Sequence, residues 1–235
     1  MPINPHSTLG IISETTVPAS TATPAPEDLR STPKPKSDIG IHMAPPTAAN
    51  DTALVERLRD IVNLVYGETE GDIFVEGYQR VSTEEMVDVM RAGQLAVAHL
   101  KTPTSAPSDL SSSSPSSPEA TSAIGCMRIQ TLPNRTGELG MFAIDPLYRG
   151  SGLGRDMVAF AESHCRSSLG SEVMRLELLV PKSNVEHVFK KRLQAWYERM
   201  GYVVVKLGVF QDDYPQLAPL LRGTCEYRVF EKNLV

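Results

Sequence analysis

The residue types and spacings able to do chemistry in this 235-residue chain concentrate in the stretch DPLYRGSGLGRD, residues 145 to 156. Gly150, Gly152 and Gly154 sit between Arg149 and Arg155, with Ser151 and Leu153 interleaved, after an apolar run and before a helix-like segment. A turn from a strand into a helix aims successive backbone N–H groups and the positive end of the helix dipole at one spot, where an anion can be held. Glycine lets the backbone approach that anion closely. The implied chemistry is phosphate binding; a glycine-rich tight turn with no ligand is the competing reading. Two common phosphate motifs are missed, because the glycines read G-x-G-x-G with Arg at 155 and no G-K-[ST] is present.

Such a turn needs a strand before it and a helix after it, and the periodicity predicts both. ELGMFAID reads as a strand, and Leu153, Met157, Phe160, Ala161, His164 and Cys165 form the apolar stripe of the following helix. Upstream, Leu54, Leu58, Ile61, Val62 and Val65 recur at helical offsets. Ser82 and Glu85 stand at capping-box spacing ahead of Met86, Val87 and Met90, which predicts a second helix ending near Gly93. QLAVAHL and AIGCMRIQTL read as paired strands. Downstream come a buried strand, MRLELLVP, a helix carrying Phe189, Leu193, Trp196, Tyr197 and Met200, and two closing strands, GYVVVKLGVF and TCEYRVFEKNL. The order α-α-β-β-β-α-β-α-β-β predicts a mixed α/β domain.

Composition bounds the rest. Nine of the 18 prolines lie in residues 1–50 among Ser, Thr and Ala, so this tract is expected to be a disordered tail. Residues 101–122 combine nine serines with four prolines and read as a flexible Ser/Pro insertion at the tip of the hairpin, leaving one domain over 51–235. A net charge of −5 and a pI near 5.6 argue against a dedicated nucleic-acid binder. Cys126, Cys165 and Cys225 are widely spaced in apolar surroundings, which suits reduced core thiols. His164 reads as a core histidine, while His99 and His187 have no partner at ligand spacing, so no metal is expected. With no 18-residue apolar run and no basic-then-apolar N-terminus, a cytoplasmic or nuclear protein without a membrane segment is expected.

The stretch Arg149-Gly150-Ser151-Gly152-Leu153-Gly154 fits [QR]-x-x-G-x-[GA] and resembles the acyl-CoA signature of the GCN5-related N-acetyltransferases (GNAT). It follows a strand and opens an amphipathic helix, and LQAWYERMGY some 40 residues later resembles the second signature of that family. The similarity covers roughly residues 52 to 232. It implies a GNAT fold, a mixed central sheet flanked by helices in which two splayed strands form the acyl-CoA cleft. It also implies acetyl-CoA as cosubstrate and a primary amine as acceptor.

Carried over by position, the resemblance assigns Phe142, Ala143 and Ile144 to backbone contacts with the pantetheine arm. It assigns Arg149, Gly150, Ser151, Gly152, Leu153, Gly154 and Arg155 to the pyrophosphate. Tyr197 matches the tyrosine that protonates the leaving thiolate, with a core aromatic as the alternative, and Glu138 matches a strand carboxylate acting as base, with Glu177 as rival. Period-two alternation puts Glu138, Gly140, Phe142 and Ile144 on one strand face. The family's asparagine seven residues before the tyrosine is replaced by Lys190, and the nearest asparagine is Asn184; Lys190 and Lys191 read as phosphate contacts or, in preference, as solvated helix lysines.

The expected function is N-acetylation of a primary amine by direct attack, on a small molecule. An acyl-CoA-binding module without catalysis and a protein-lysine or N-terminal acetyltransferase are the alternatives. Glu68, Glu70, Asp72, Glu76, Asp212 and Asp213 in the presumptive acceptor loops favour a cationic small molecule. Oligomeric state is not legible.

Overall fold

The computed structural model describes residues 38–101, 120, 122–182 and 186–235. Seven strands form one sheet in the order β1-β2-β3-β4-β5-β7-β6. They are β1 (Ile39–Met43), β2 (Leu95–Leu100), β3 (Ala123–Leu132), β4 (Thr136–Ile144), β5 (Val173–Pro181), β6 (Val203–Val209) and β7 (Cys225–Asn233). Among the described residues only β4 and β5 pair in parallel; every other neighbour is antiparallel. This is the mixed α/β sheet expected.

Among the described residues four helices of nine residues or more cover the two faces: α1 (Thr52–Glu70), α2 (Thr83–Arg91), α3 (Leu153–Ser167) and α4 (Val188–Arg199). The apolar stripe of α1 and Met86, Val89 and Met90 of α2 pack on one face with Cys126, Met141 and Ala143. Leu153, Met157, Ala161 and Cys165 of α3 and Leu193, Trp196 and Tyr197 of α4 pack on the other with Leu139, Phe142 and Ile144. Local chemistry sets the helix starts. The Leu54 N–H donates to the Asp51 carboxylate at 3.1 Å, and the Ser82–Glu85 capping box has both of its reciprocal bonds.

The expected tail boundary at residue 50 is corrected. Ile39–Met43 adds to the sheet edge against β2, in register from Ile39 opposite Leu100 to Met43 opposite Ala96. An edge strand buries only half of each side chain, and every β1 residue is partly buried, so the strong alternation of a core strand is missing there. Residues 1–37 of that tract lie outside the described residues. So do 102–119 and 121 of the Ser/Pro insertion. Its ends are described: β2 and β3 form the antiparallel hairpin expected, and Ala120 is 5% exposed within the α1 and α2 core.

Candidate active site

The parallel pairing of β4 with β5 covers only Thr136, Gly137 and Glu138, opposite Val173, Met174 and Arg175. Past that point the strands part, while β4 stays on β3 and β5 stays on β7. A wedge therefore opens beside Leu139–Ile144, with Glu138 at its narrow end.

Along the wedge β4 carries a bulge. The register against β3 shifts between Cys126 and Arg128, and Met141 takes φ 47, a left-handed conformation rare for a side chain with a Cβ. The extra residue resets the alternation. Met141 and Ala143 face α1 and α2, whereas Phe142 and Ile144 face α3 and α4. The period-two expectation is corrected accordingly: Glu138, opposite Gln130 and in line with Arg128 and Cys126, lies on the α1 side and does not share a face with Phe142 and Ile144. Phe142, Ala143 and Ile144 all line the parted stretch of β4.

The glycine turn stands at the end of β4. Gly150 and Gly152 have φ 76 and 82, conformations that require glycine, and Gly152 occupies the N-cap of α3 with no side-chain hydrogen bond to the helix. The Leu153 N–H meets the Ser151 hydroxyl at 3.4 Å, and beyond it the N-cap supplies no side chain to the first turn, which suits that turn to an anion. Ser151 turns its hydroxyl back to donate to the Tyr148 carbonyl at 2.8 Å, which tightens the turn. Arg149 reaches across to Glu68 at the end of α1, 2.9 Å away, and Arg155 is exposed on the first turn of α3. Gly67, Glu68, Arg149, His187 and Phe189 line a cleft of about 550 Å³ between the turn, the end of α1 and the start of α4. His187 caps α4, its Nδ1 accepting from the Lys190 N–H at 3.3 Å, and its Nε2 lies 3.2 Å from Asp72.

Two carboxyls meet on the α1 side. Glu138 is 4% exposed and accepts a hydrogen bond from the Gln130 amide. Glu177, two residues past the last β4–β5 pair on β5, accepts from the Tyr214 hydroxyl at 2.9 Å. Burial, and after it the nearby Glu138 carboxylate, push the Glu177 carboxyl up to about 7, against the pull of Tyr214, Arg175 and Lys206. A group with that affinity for protons exchanges them near neutral pH.

Tyr197 is fully buried among Trp196, Tyr202 and Phe230. Its hydroxyl has no hydrogen-bond partner among the described residues. Burial, with a smaller contribution from the Glu70 carboxylate, holds the phenol well above its ordinary pKa, so it remains a proton donor. The expectation of solvated lysines is half corrected. Lys191 is exposed and pairs with Glu186, but Lys190, 1% exposed, pairs with Glu70, 2% exposed. This ion pair joins α1, on one face of the sheet, to α4, on the other. Nothing local marks the pair, since a lysine on an amphipathic helix ordinarily reads as solvated. Asn184 lies outside the described residues.

Parted parallel strands, a bulge at the parting and a glycine turn at the wedge mouth together form an open cleft at one end of the sheet. Residues 119–204 match the family described as Acetyltransferase (GNAT) domain. No curated protein matches the chain by sequence. Among solved structures, it is similar to a chain of the NatC complex bound to Gag peptide and CoA, with 15% identity, coverage of 84% of this chain and 99% of that one, and a TM-score of 0.52. An acetyltransferase of the GNAT family from Streptococcus pneumoniae shares 14% identity over 83% of this chain and 98% of its own, with a TM-score of 0.50. Ard1 from Thermoplasma volcanium shares 16% identity over 84% and 99%, also at 0.50. At these identities the likeness is one of fold.

Proposed function

We propose that the protein transfers an acetyl group from acetyl-CoA to a primary amine of a small molecule, by direct attack of the amine on the thioester. The observation that carries this reading is the parting of β4 and β5 beyond Glu138 and Arg175, with ionisable groups suited to the two proton transfers, Glu177 and Tyr197, on opposite faces of the sheet. In this reading the pyrophosphate rests on the Arg149–Gly154 turn, with Arg155 adding charge, and the pantetheine arm follows the backbone of Phe142, Ala143 and Ile144. The fit is supported by the uncapped N-terminus of α3 and the buried, unpartnered hydroxyl of Tyr197.

An amine must lose its proton to become a nucleophile. Glu177, with Glu138 raising its proton affinity, takes that proton; the nitrogen lone pair then forms the C–N bond at the thioester carbonyl. Backbone amides at the β4 bulge steady the oxyanion. When the C–S bond breaks, the thiolate takes the Tyr197 proton, and the surplus proton on the acylated nitrogen is released to restore the phenol, leaving a neutral amide. Burial pushes the thiols of Cys126, Cys165 and Cys225 up to about 12, 11 and 11, which supports direct attack over an acyl-cysteine.

A small acceptor is favoured because the loops flanking the α1 side are bridged. Phe74 pairs with Leu221, and the Val75 N–H donates to the Leu220 carbonyl at 2.8 Å. The space beneath is a small, partly open pocket of about 250 Å³ rather than a long trench for an extended chain. Free thiol released from acetyl-CoA, measured with and without a panel of primary amines, tests the reading. Amine-dependent release is expected; coenzyme A binding with no release from any amine would leave a non-catalytic acyl-CoA-binding module.

A further inference from the structure

Glu177 is held by a residue from outside the two parted strands. The Tyr214 hydroxyl donates to its Oε2 at 2.9 Å, while no hydrogen bond reaches Oε1 among the described residues, and Glu177 is only partly buried. One carboxylate oxygen is fixed and the other is open.

Tyr214 is itself built into place. It follows the helical turn Phe210–Asp213 in the connection from β6 to β7, where its N–H donates to the Phe210 carbonyl at 2.8 Å and its own carbonyl accepts from the Leu217 and Ala218 N–H groups at 3.0 and 3.2 Å. Its ring centre lies 4.9 Å from that of Phe210 and, edge to face, 5.7 Å from that of Tyr227. Burial, and after it the Glu177 carboxylate, hold the phenol well above its ordinary pKa, so it donates across neutral pH without ionising. A donor locked by backbone and packing fixes the geometry of the group it serves.

The same connection forms a wall of the acceptor pocket. Leu220 accepts from the Val75 N–H at 2.8 Å and the Arg222 N–H donates to the Ile73 carbonyl at 2.9 Å, with Val75 and Arg222 lining the pocket. The other charged neighbours of Glu177 sit on strands: Glu138 on β4, Arg175 on β5 and Lys206 on β6, while β7 sets Val229 opposite. Burial and Glu138 raise its proton affinity; the Tyr214 hydrogen bond is the largest of the effects that lower it.

We infer that Tyr214 is a positioning residue for the wedge carboxyl: its hydroxyl fixes one oxygen of Glu177 and leaves the other to take the proton of the acceptor amine. This rests on the acetyl-transfer reading above, with Glu177 as base. The proton passes from the ammonium nitrogen to Oε1 while Oε2 stays bonded to Tyr214, and the phenol keeps its own proton throughout.

Tyr214→Phe keeps the ring beside Phe210 and Tyr227 and removes the donor alone. The test compares pH–rate profiles of amine-dependent thiol release for the parent, Tyr214→Phe, Glu177→Gln and the double variant. In parallel the Glu177 carboxyl is titrated by carbon NMR in protein labelled at its glutamate carboxyls, the signal being assigned by its absence from Glu177→Gln. In Tyr214→Phe both the limb near 7 and the NMR titration are expected to move to higher pH. The rate at pH 6 should drop about tenfold, the size of one hydrogen bond to a charged group, and rejoin the parent rate above the limb. The double variant should run no slower than Glu177→Gln. A loss of the same size at every pH, an unmoved titration, or a double variant slowed by both effects in full would overturn the inference. If no amine releases thiol from any of these proteins, acetyl transfer fails; a shifted NMR titration then still upholds the hold of Tyr214 on Glu177, and an unshifted one overturns it.

Discussion

Glu138 of β4 and Arg175 of β5 are the last two residues to pair before the parallel strands separate. Arg175 is held from the far side by Glu231 of β7, at 2.6 Å, so the narrow end of the wedge is anchored through three strands. Glu177 stands two residues further along β5 on the same face, where the gap has begun. The separation of the strands and the juxtaposition of the two carboxyls therefore come from one feature, a ladder that stops after three pairs.

The raised Glu177 pKa gives a signed pH prediction. The rate of amine-dependent thiol release should climb with pH through about 7 as this carboxyl ionises, and Glu177→Gln should lose that limb and run about 10²-fold slower near neutrality. Partial recovery is expected at high pH, where the amine deprotonates unaided. A pH–rate profile of both proteins checks this; a limb that survives in Glu177→Gln assigns the base elsewhere.

Stability should carry the same signature. A carboxyl whose folded pKa lies above its ordinary value near 4.5 binds more protons folded than unfolded between 4.5 and about 7. Its contribution is thus present at low pH and lost as pH rises through about 7. The Tm of Glu177→Gln, relative to the parent, should rise between pH 5 and pH 8. A difference that stays flat or falls would contradict the shift.

Tyr197→Phe removes a buried hydroxyl that has no hydrogen-bond partner among the described residues. The melting temperature is expected to hold, since no intramolecular bond is lost. Coenzyme A affinity should stay within a few fold, while acyl transfer drops by about 10²-fold. Full activity would return Tyr197 to a packing role.

Gly152→Asp places a Cβ on a left-handed residue and a negative charge at the N-terminus of α3. Coenzyme A affinity should fall at least tenfold, about 1.4 kcal/mol, as read by calorimetry on protein shown to be folded. Unchanged affinity would remove the pyrophosphate from this turn.

The buried Glu70–Lys190 pair should be costly to break from one side only. Glu70→Gln or Lys190→Met alone is expected to lose about 3–5 kcal/mol by denaturant unfolding, because each strands a buried charge. The double variant should lose clearly less than the sum. Additive losses would mean that the two groups do not act as a pair.

Much of this arrangement is legible in the sequence where local rules govern it. The stripe of α1, the Ser82–Glu85 capping box and the alternating glycines of the turn each follow from spacing within a dozen residues, and each appears as expected. What escaped depends on partners far along the chain. The single extra residue at Met141 reverses the facing of Phe142 and Ile144 relative to Glu138, and nothing in ELGMFAID marks a bulge. β1 is visible only once β2 is there to receive it. Lys190 reads as solvated until Glu70, 120 residues earlier, is brought against it. Glu68, Glu70 and Asp72 read as unpaired loop acids because their arginine, lysine and histidine partners lie on other elements.

The central claim is that the wedge delivers an acetyl group directly from the thioester to an amine. Its most direct test is a quenched single-turnover measurement with acetyl-labelled acetyl-CoA and excess protein, following label on protein, free thiol and N-acetyl product together. The account predicts no label on protein without an acceptor. On adding an accepted amine, thiol and N-acetyl product should appear in equal amounts and at the same rate. Label accumulating on the protein before product, or thiol released at the same rate with and without amine, would contradict it.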